Sequence, residues 1–85
     1  MRHRTKTLRE GRWYKLFKST NPKTGRSSYT IQVDVYNLRA WDNDVIRKHF
    51  DPAGNRGSKH GTRWKYGNKE TAEKVLLMAM IKFGE

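Results

Sequence analysis

The chain contains no cysteine, which excludes disulfide cross-links, cysteine-ligated zinc and thiol catalysis together. It also lacks any apolar run near the roughly 18 residues that a membrane-spanning helix requires. No apolar stretch follows the basic start in the manner of a secretory signal. The longest apolar run, Val75 to Ile81, lies at the far end. These absences point to an intracellular protein, cytoplasmic or associated with a nucleoid or nucleus. There are no internal repeats. Histidine occurs only at positions 3, 49 and 60, and none of these falls in a metal-ligand spacing. His49 and Asp51, with His60 beyond them, are the nearest approach to a metal-dependent nuclease site. Such a site needs convergent carboxylates, and the acids at Asp42, Asp44, Glu70 and Glu73 stand where helices start. No Ser-His-Asp arrangement is present. The expectation is a non-enzyme with no cofactor, no metal and no membrane partner.

Acidic residues are scarce as well, 8 against 19 lysines and arginines, giving a net charge of +11 over 85 residues. That length suits one domain with a single small core. The cations are concentrated in residues 1–33, which carry a single acid, and in residues 47–69, which also carry one. A small domain kept soluble by charge rarely needs a net value beyond about 8, so two such blocks predict a polyanionic partner.

Residues 1–10 hold one large apolar residue, Leu8, and read as a flexible basic arm bearing Arg2, Arg4, Lys6 and Arg9. Residues 11–85 form the domain. "RWYKLFKSTNPKTGRSSYTIQVDV" reads as a β-hairpin. A loop of Pro22, Lys23, Thr24 and Gly25 pairs Asn21 with Arg26, and continuing that register sets Leu16 opposite Ile31 and Tyr14 opposite Val33. Tyr14, Leu16, Tyr29, Ile31, Val33 and Val35 then share a core face, leaving Trp13, Lys15 and Phe17 on the other face. Residues 41–50 suit a short helix capped by Asp42, with an extra strand as the competing reading. Residues 51–61, rich in glycine, predict a flexible basic loop. "TRWKYG" resumes as a strand with Trp64 and Tyr66 inward and Arg63 and Lys65 outward. "NKETAEKVLLMAMIKFG" is a helix capped by Asn68, with Ala72, Val75, Leu76, Ala79, Met80 and Phe83 toward the sheet. Leu77 and Ile81 lie on its flank and either widen the buried stripe or make a weak dimer of an otherwise monomeric chain. The fold class is α+β: a three-stranded antiparallel sheet backed by one C-terminal helix, with a short helix or extra strand in the 41–50 connection.

Three constellations carry chemistry. Trp13 and Phe17 flanking Lys15 can stack on bases while the lysine meets a phosphate, or they can form a second small core beneath the 41–50 segment or the arm. The outward row Lys15, Arg63 and Lys65, with Lys23 and Arg26 at the hairpin tip, can meet phosphates or base edges, and Arg12 at the start of the hairpin is a further candidate contact. In the loop, Arg56, Lys59 and His60 stand among glycines that let a backbone approach closely, without the spacing of a nucleotide-binding cradle.

"GRWYKLFKSTNPKTGRSSYTIQV" followed by "GTRWKYGNKETAEKVLLMAM" resembles AP2/integrase-arm domains, in which a three-stranded sheet docks in the DNA major groove and a C-terminal helix backs it. That resemblance implies DNA contact by Trp13, Lys15, Arg26, Arg63 and Lys65. "YTIQVDVYN" with the same C-terminal segment is similar to the end of a double-stranded-RNA-binding domain. That implies phosphate contact by Lys69 and by the loop from Arg56 to Lys59. The functional expectation is non-catalytic nucleic-acid binding, to duplex DNA ahead of RNA, through the basic sheet face, arm and loop. About five neutralised phosphates would give log K a slope near −4 to −5 against log salt. The alternative is a small basic inhibitor or adaptor that binds an acidic surface of a protein or nucleoprotein effector complex.

Overall fold

The turn at residues 21–26 closes as its residues dictate. The Asn21 amide donates to the Arg26 carbonyl (2.8 Å), the Gly25 amide donates to the Asn21 carbonyl (2.8 Å), and Gly25 takes the left-handed φ of 72° that glycine tolerates. This fixes the register of β2 (Tyr14–Thr20) against β3 (Ser27–Val33), with Tyr14 opposite Val33 and Leu16 opposite Ile31. The computed structural model describes residues 4–38, 41–51, 55–56 and 63–84. Its remaining elements are β1 (Arg4–Glu10), α1 (Asn43–Phe50), β4 (Asn55–Arg56), β5 (Arg63–Tyr66) and α2 (Lys69–Phe83). Spatial order in the sheet is β1-β2-β3-β5-β4, antiparallel throughout.

Three expectations are corrected. The sheet has four strands where three were expected, with the two-residue β4 as a short addition along β5. The fourth strand is the supposed arm, since residues 4–10 pair along β2 from Arg4–Thr20 to Glu10–Lys15. An edge strand needs main-chain bonds on one side only, so its side chains can be almost entirely polar and still pair. A register shift between Thr7 and Arg9 releases Leu8 from the ladder, and Leu8 packs against the core. The stretch 51–61 is likewise not wholly without structure, because Asn55 and Arg56 pair with Lys65 and Trp64.

The 41–50 segment is a helix, as expected, and not a strand. Asp42 occupies the capping position, but its carboxylate makes no capping bond; its main-chain carbonyl receives the Val45 and Ile46 amides instead. α2 begins where Asn68 accepts from the Glu70 amide (2.8 Å). Ala72, Leu76, Ala79 and Phe83 recur at helical spacing and are buried. The two alanines let the helix axis lie close to the sheet.

Both helices pack on one face of the sheet, the inner face. Its core holds Leu16, Ile31, Val33, Trp64 and Tyr66 from the strands and Ala72, Leu76, Ala79 and Phe83 from α2. The other expected core residues, Tyr14, Tyr29, Val35, Val75 and Met80, are partly buried against it. Phe50 of α1 stacks on Trp64 at 4.8 Å, and the His49 Nε2–H donates to the Val75 carbonyl (2.9 Å). The Tyr66 hydroxyl donates to the Phe50 carbonyl (3.2 Å), and the Trp64 indole N–H donates to the Asp51 carboxylate. Burial, and secondarily the Asp51 charge, pushes the Tyr66 phenol well above the ordinary tyrosine range. Among the described residues no helix is long and apolar enough to cross a membrane.

Candidate nucleic-acid interface

Residues directly opposed in an antiparallel ladder share a face, so the register sorts the strand side chains without ambiguity. Crossing from β1 to β5, one outer row reads Glu10, Lys15, Gln32, Arg63 and the next reads Thr7, Phe17, Thr30, Lys65. Toward the hairpin tip follow Thr5, Ser19 and Ser28, and then Asn21 with Arg26. Lys15, Arg26, Arg63 and Lys65 are exposed, Phe17 and Gln32 are half-buried, and Thr30 is covered by its neighbours. The outer face is therefore a trough. β3 supplies a floor of Ser28, Thr30 and Gln32, β2 sets Lys15 and Phe17 along one side, and β5 sets Arg63 and Lys65 along the other. The strands on either side of β3 stand about 9.5 Å apart.

Trp13 is not part of this face, and its expected placement there is corrected. β2 begins at Tyr14, so alternation does not extend back through the bend at residues 12–13. Trp13 turns inward and is 1% exposed. Its indole N–H donates to the Gly84 carbonyl just past α2 (2.7 Å), and its ring meets Phe83 edge-on. Its neighbour Tyr14 lies over Gly11, where an added Cβ would fall 2.2 Å from the Tyr14 ring. Of the two aromatics proposed to flank Lys15, only Phe17 faces outward.

The remaining cations are distributed by the same parity. Arg4 and Lys6 oppose Thr20 and Lys18, which puts Arg4, Lys6 and Lys18 on the inner side of the β1–β2 ribbon. Arg9 is exposed at the bulge, Arg12 lies between β1 and β2, and Lys23 sits in the hairpin loop. Lys69 starts α2 on the helix side and lies 4.0 Å from Glu73. Arg56 is in β4, while Arg2, Lys59 and His60 lie outside the described residues. The structure thus brings Lys15, Arg26, Arg63 and Lys65 onto one face and assigns Arg4, Lys6 and Lys69 to the other side.

Near the tip the trough deepens into a hollow lined by Ser19, Asn21, Thr24, Arg26, Ser27, Ser28 and Lys65. Here Arg26 of the first basic stretch and Lys65 of the second line one depression. The five uncharged residues were not singled out from sequence, although Ser19 and Asn21 stand at the same parity as Lys15 and Phe17, the available signal. His49 and Asp51 are engaged in helix packing and with the Trp64 indole, as described. Among the described residues no group of three or more histidines and acids could hold a metal ion. No family model, curated protein or solved structure matches the chain.

Proposed function

We propose that the chain is a non-catalytic nucleic-acid-binding protein whose favoured partner is duplex DNA, held by the outer face of the sheet. The observation that carries this reading is the outer trough, where four exposed cations from β2, the hairpin turn and β5 flank a floor of Ser28, Thr30 and Gln32. Glu10 is the single acid in these rows, at the β1 edge. A sugar-phosphate backbone lying along β3 meets hydroxyl and amide donors below and ammonium or guanidinium groups on both sides. Arg63 can in addition reach a base edge. Single-stranded partners are the poorer fit, because binding them rests on several exposed aromatic platforms. With Trp13 in the core, Phe17 is the one outward ring in these rows.

Competition among duplex DNA, single-stranded DNA and duplex RNA at two salt concentrations tests the reading. Duplex DNA is expected to compete best, with all affinities falling as salt rises. Failure of every oligonucleotide to bind at low salt overturns it. The second reading, a basic adaptor for an acidic protein surface, is favoured by an apolar strip on α2. Leu77, Met78 and Ile81 are exposed there between the exposed Lys74 and Lys82. A pull-down repeated after nuclease digestion separates the two, since only a protein partner survives it.

A further inference from the structure

The hollow at the hairpin end is lined by groups that can give hydrogen bonds. Asn21 Oδ1 accepts from the Lys23 amide (2.9 Å) and Thr24 Oγ1 accepts from the Arg26 amide (3.2 Å). With those acceptors occupied, the two side chains still offer the Asn21 NH₂ group and the Thr24 O–H. Ser19 and Ser28 are direct cross-strand partners, and among the described residues neither hydroxyl is engaged in a side-chain hydrogen bond. Arg26 and Lys65 are likewise without an ion pair among the described residues, and no carboxylate lines the hollow. Donors converge from β2, the turn, β3 and β5. A planar carboxylate presents acceptors in one plane, whereas a tetrahedral oxyanion presents them in every direction from which this lining approaches.

We propose that the hollow seats a phosphate group. Resting on the nucleic-acid reading above, the group it holds in the complex is one backbone phosphate. Arg26 supplies the planar fork and Lys65 a point charge. The uncharged donors of Ser19, Ser28, Asn21 and Thr24 fix the phosphate's position. Arg63 and Lys65 follow each other on one side of β5, about 6.6 Å apart, so a backbone anchored in the hollow continues over Arg63 along the trough. The hollow thereby sets the register of the strand on the sheet, which a diffuse basic face does not.

The test is the double variant Ser19→Ala/Ser28→Ala, which changes no charge, measured in two arms. In the first, duplex DNA affinity is expected to fall about tenfold, since hydrogen bonds to a charged group are the strong ones. The slope of log K against log salt should stay unchanged, because no cation is lost. In the second, inorganic phosphate at millimolar concentration is expected to move the amide NMR signals of Ser19, Thr24 and Ser28 in the wild type. Chloride at equal ionic strength should not. If duplex binds but the variant binds equally well and phosphate moves nothing, the seat is overturned and the nucleic-acid reading stands. If phosphate moves those signals while no duplex binds, the reading fails and the seat stands.

Discussion

Neutralising the outer face and neutralising the opposite side should have different consequences, although the two changes remove the same charge. The outer variant is Lys15→Gln, Arg63→Gln and Lys65→Gln. The control is Arg4→Gln, Lys6→Gln and Lys18→Gln, whose positions fall on the inner side of the β1–β2 ribbon. Four cations stand on the outer rows, Lys15, Arg26, Arg63 and Lys65. If each neutralises one duplex phosphate, log K falls with log salt at a slope near −3.6. Removing three of the four leaves a slope near −0.9.

Between 50 and 200 mM salt, wild-type affinity should then drop roughly 150-fold and that of the outer variant about three- to fourfold. The control should keep the wild-type slope. Fluorescence anisotropy with a labelled duplex at five or six salt concentrations measures all three. The outer positions are exposed strand sites, so substitution costs within about 0.5 kcal/mol of stability, which a urea melt checks. Equal loss of slope in both variants would refute the reasoning, because total charge would then govern binding and the face would be irrelevant.

Trp13→Ala should cost about 3–5 kcal/mol in urea unfolding, as expected of a fully buried ring. Trp13→Phe, which keeps an aromatic ring but loses the bond to Gly84, should lower stability while leaving the duplex affinity of the folded protein unchanged. The raised Tyr66 pKa is a stability statement with a definite sign. The neutral phenol's contribution is complete below the unfolded value of about 10 and is lost as pH rises toward the higher folded value. Stability should therefore fall above about pH 10, and Tyr66→Phe should flatten that limb in melts run from pH 8 to 11. Ile81 is 85% exposed, so Ile81→Glu should shift stability by less than about 0.5 kcal/mol, a result that thermal melts would contradict if the side chain widened the core. Lys6 stands directly opposite Lys18, a like-charge pairing that destabilises a ladder. Lys6→Glu should accordingly raise the melting temperature at low salt, by an increment that shrinks as salt is added.

The hairpin was legible because its turn chemistry and its alternation agree. Gly25 and Pro22 close the loop, and counting back from Asn21 and Arg26 gives the pairing that forms. α2 was legible for the same reason, with cap, acidic first turn and apolar spacing all consistent. β1 was not, because an edge strand is held by backbone bonds that leave no apolar signature. Its alternating threonines and cations look the same in a mobile arm as in a pleated edge. Leu38, Ile46 and Phe50 were missed from the core because their burial depends on long-range packing with the strands and α2, which no local pattern encodes.

The site was half legible, and the boundary runs between Trp13 and Tyr14. Parity works within a strand, so Lys15, Phe17, Arg63 and Lys65 could be assigned to one face as soon as their strands were recognised. Parity fails where the strand stops, and the bend at residues 12–13 sends Trp13 to the opposite side. That single reversal changes the chemistry expected of the face. An aromatic pair around a lysine suggests stacking on unpaired bases, whereas one half-buried ring among serine, threonine, glutamine and four cations suggests a phosphate backbone. The hollow could not be read from sequence, because it needs β3 and β5 to pair with Thr30 opposite Lys65. Only that long-range register carries Lys65 to the same depression as Arg26. The cations could be counted from the sequence, but pairing decides which of them act together.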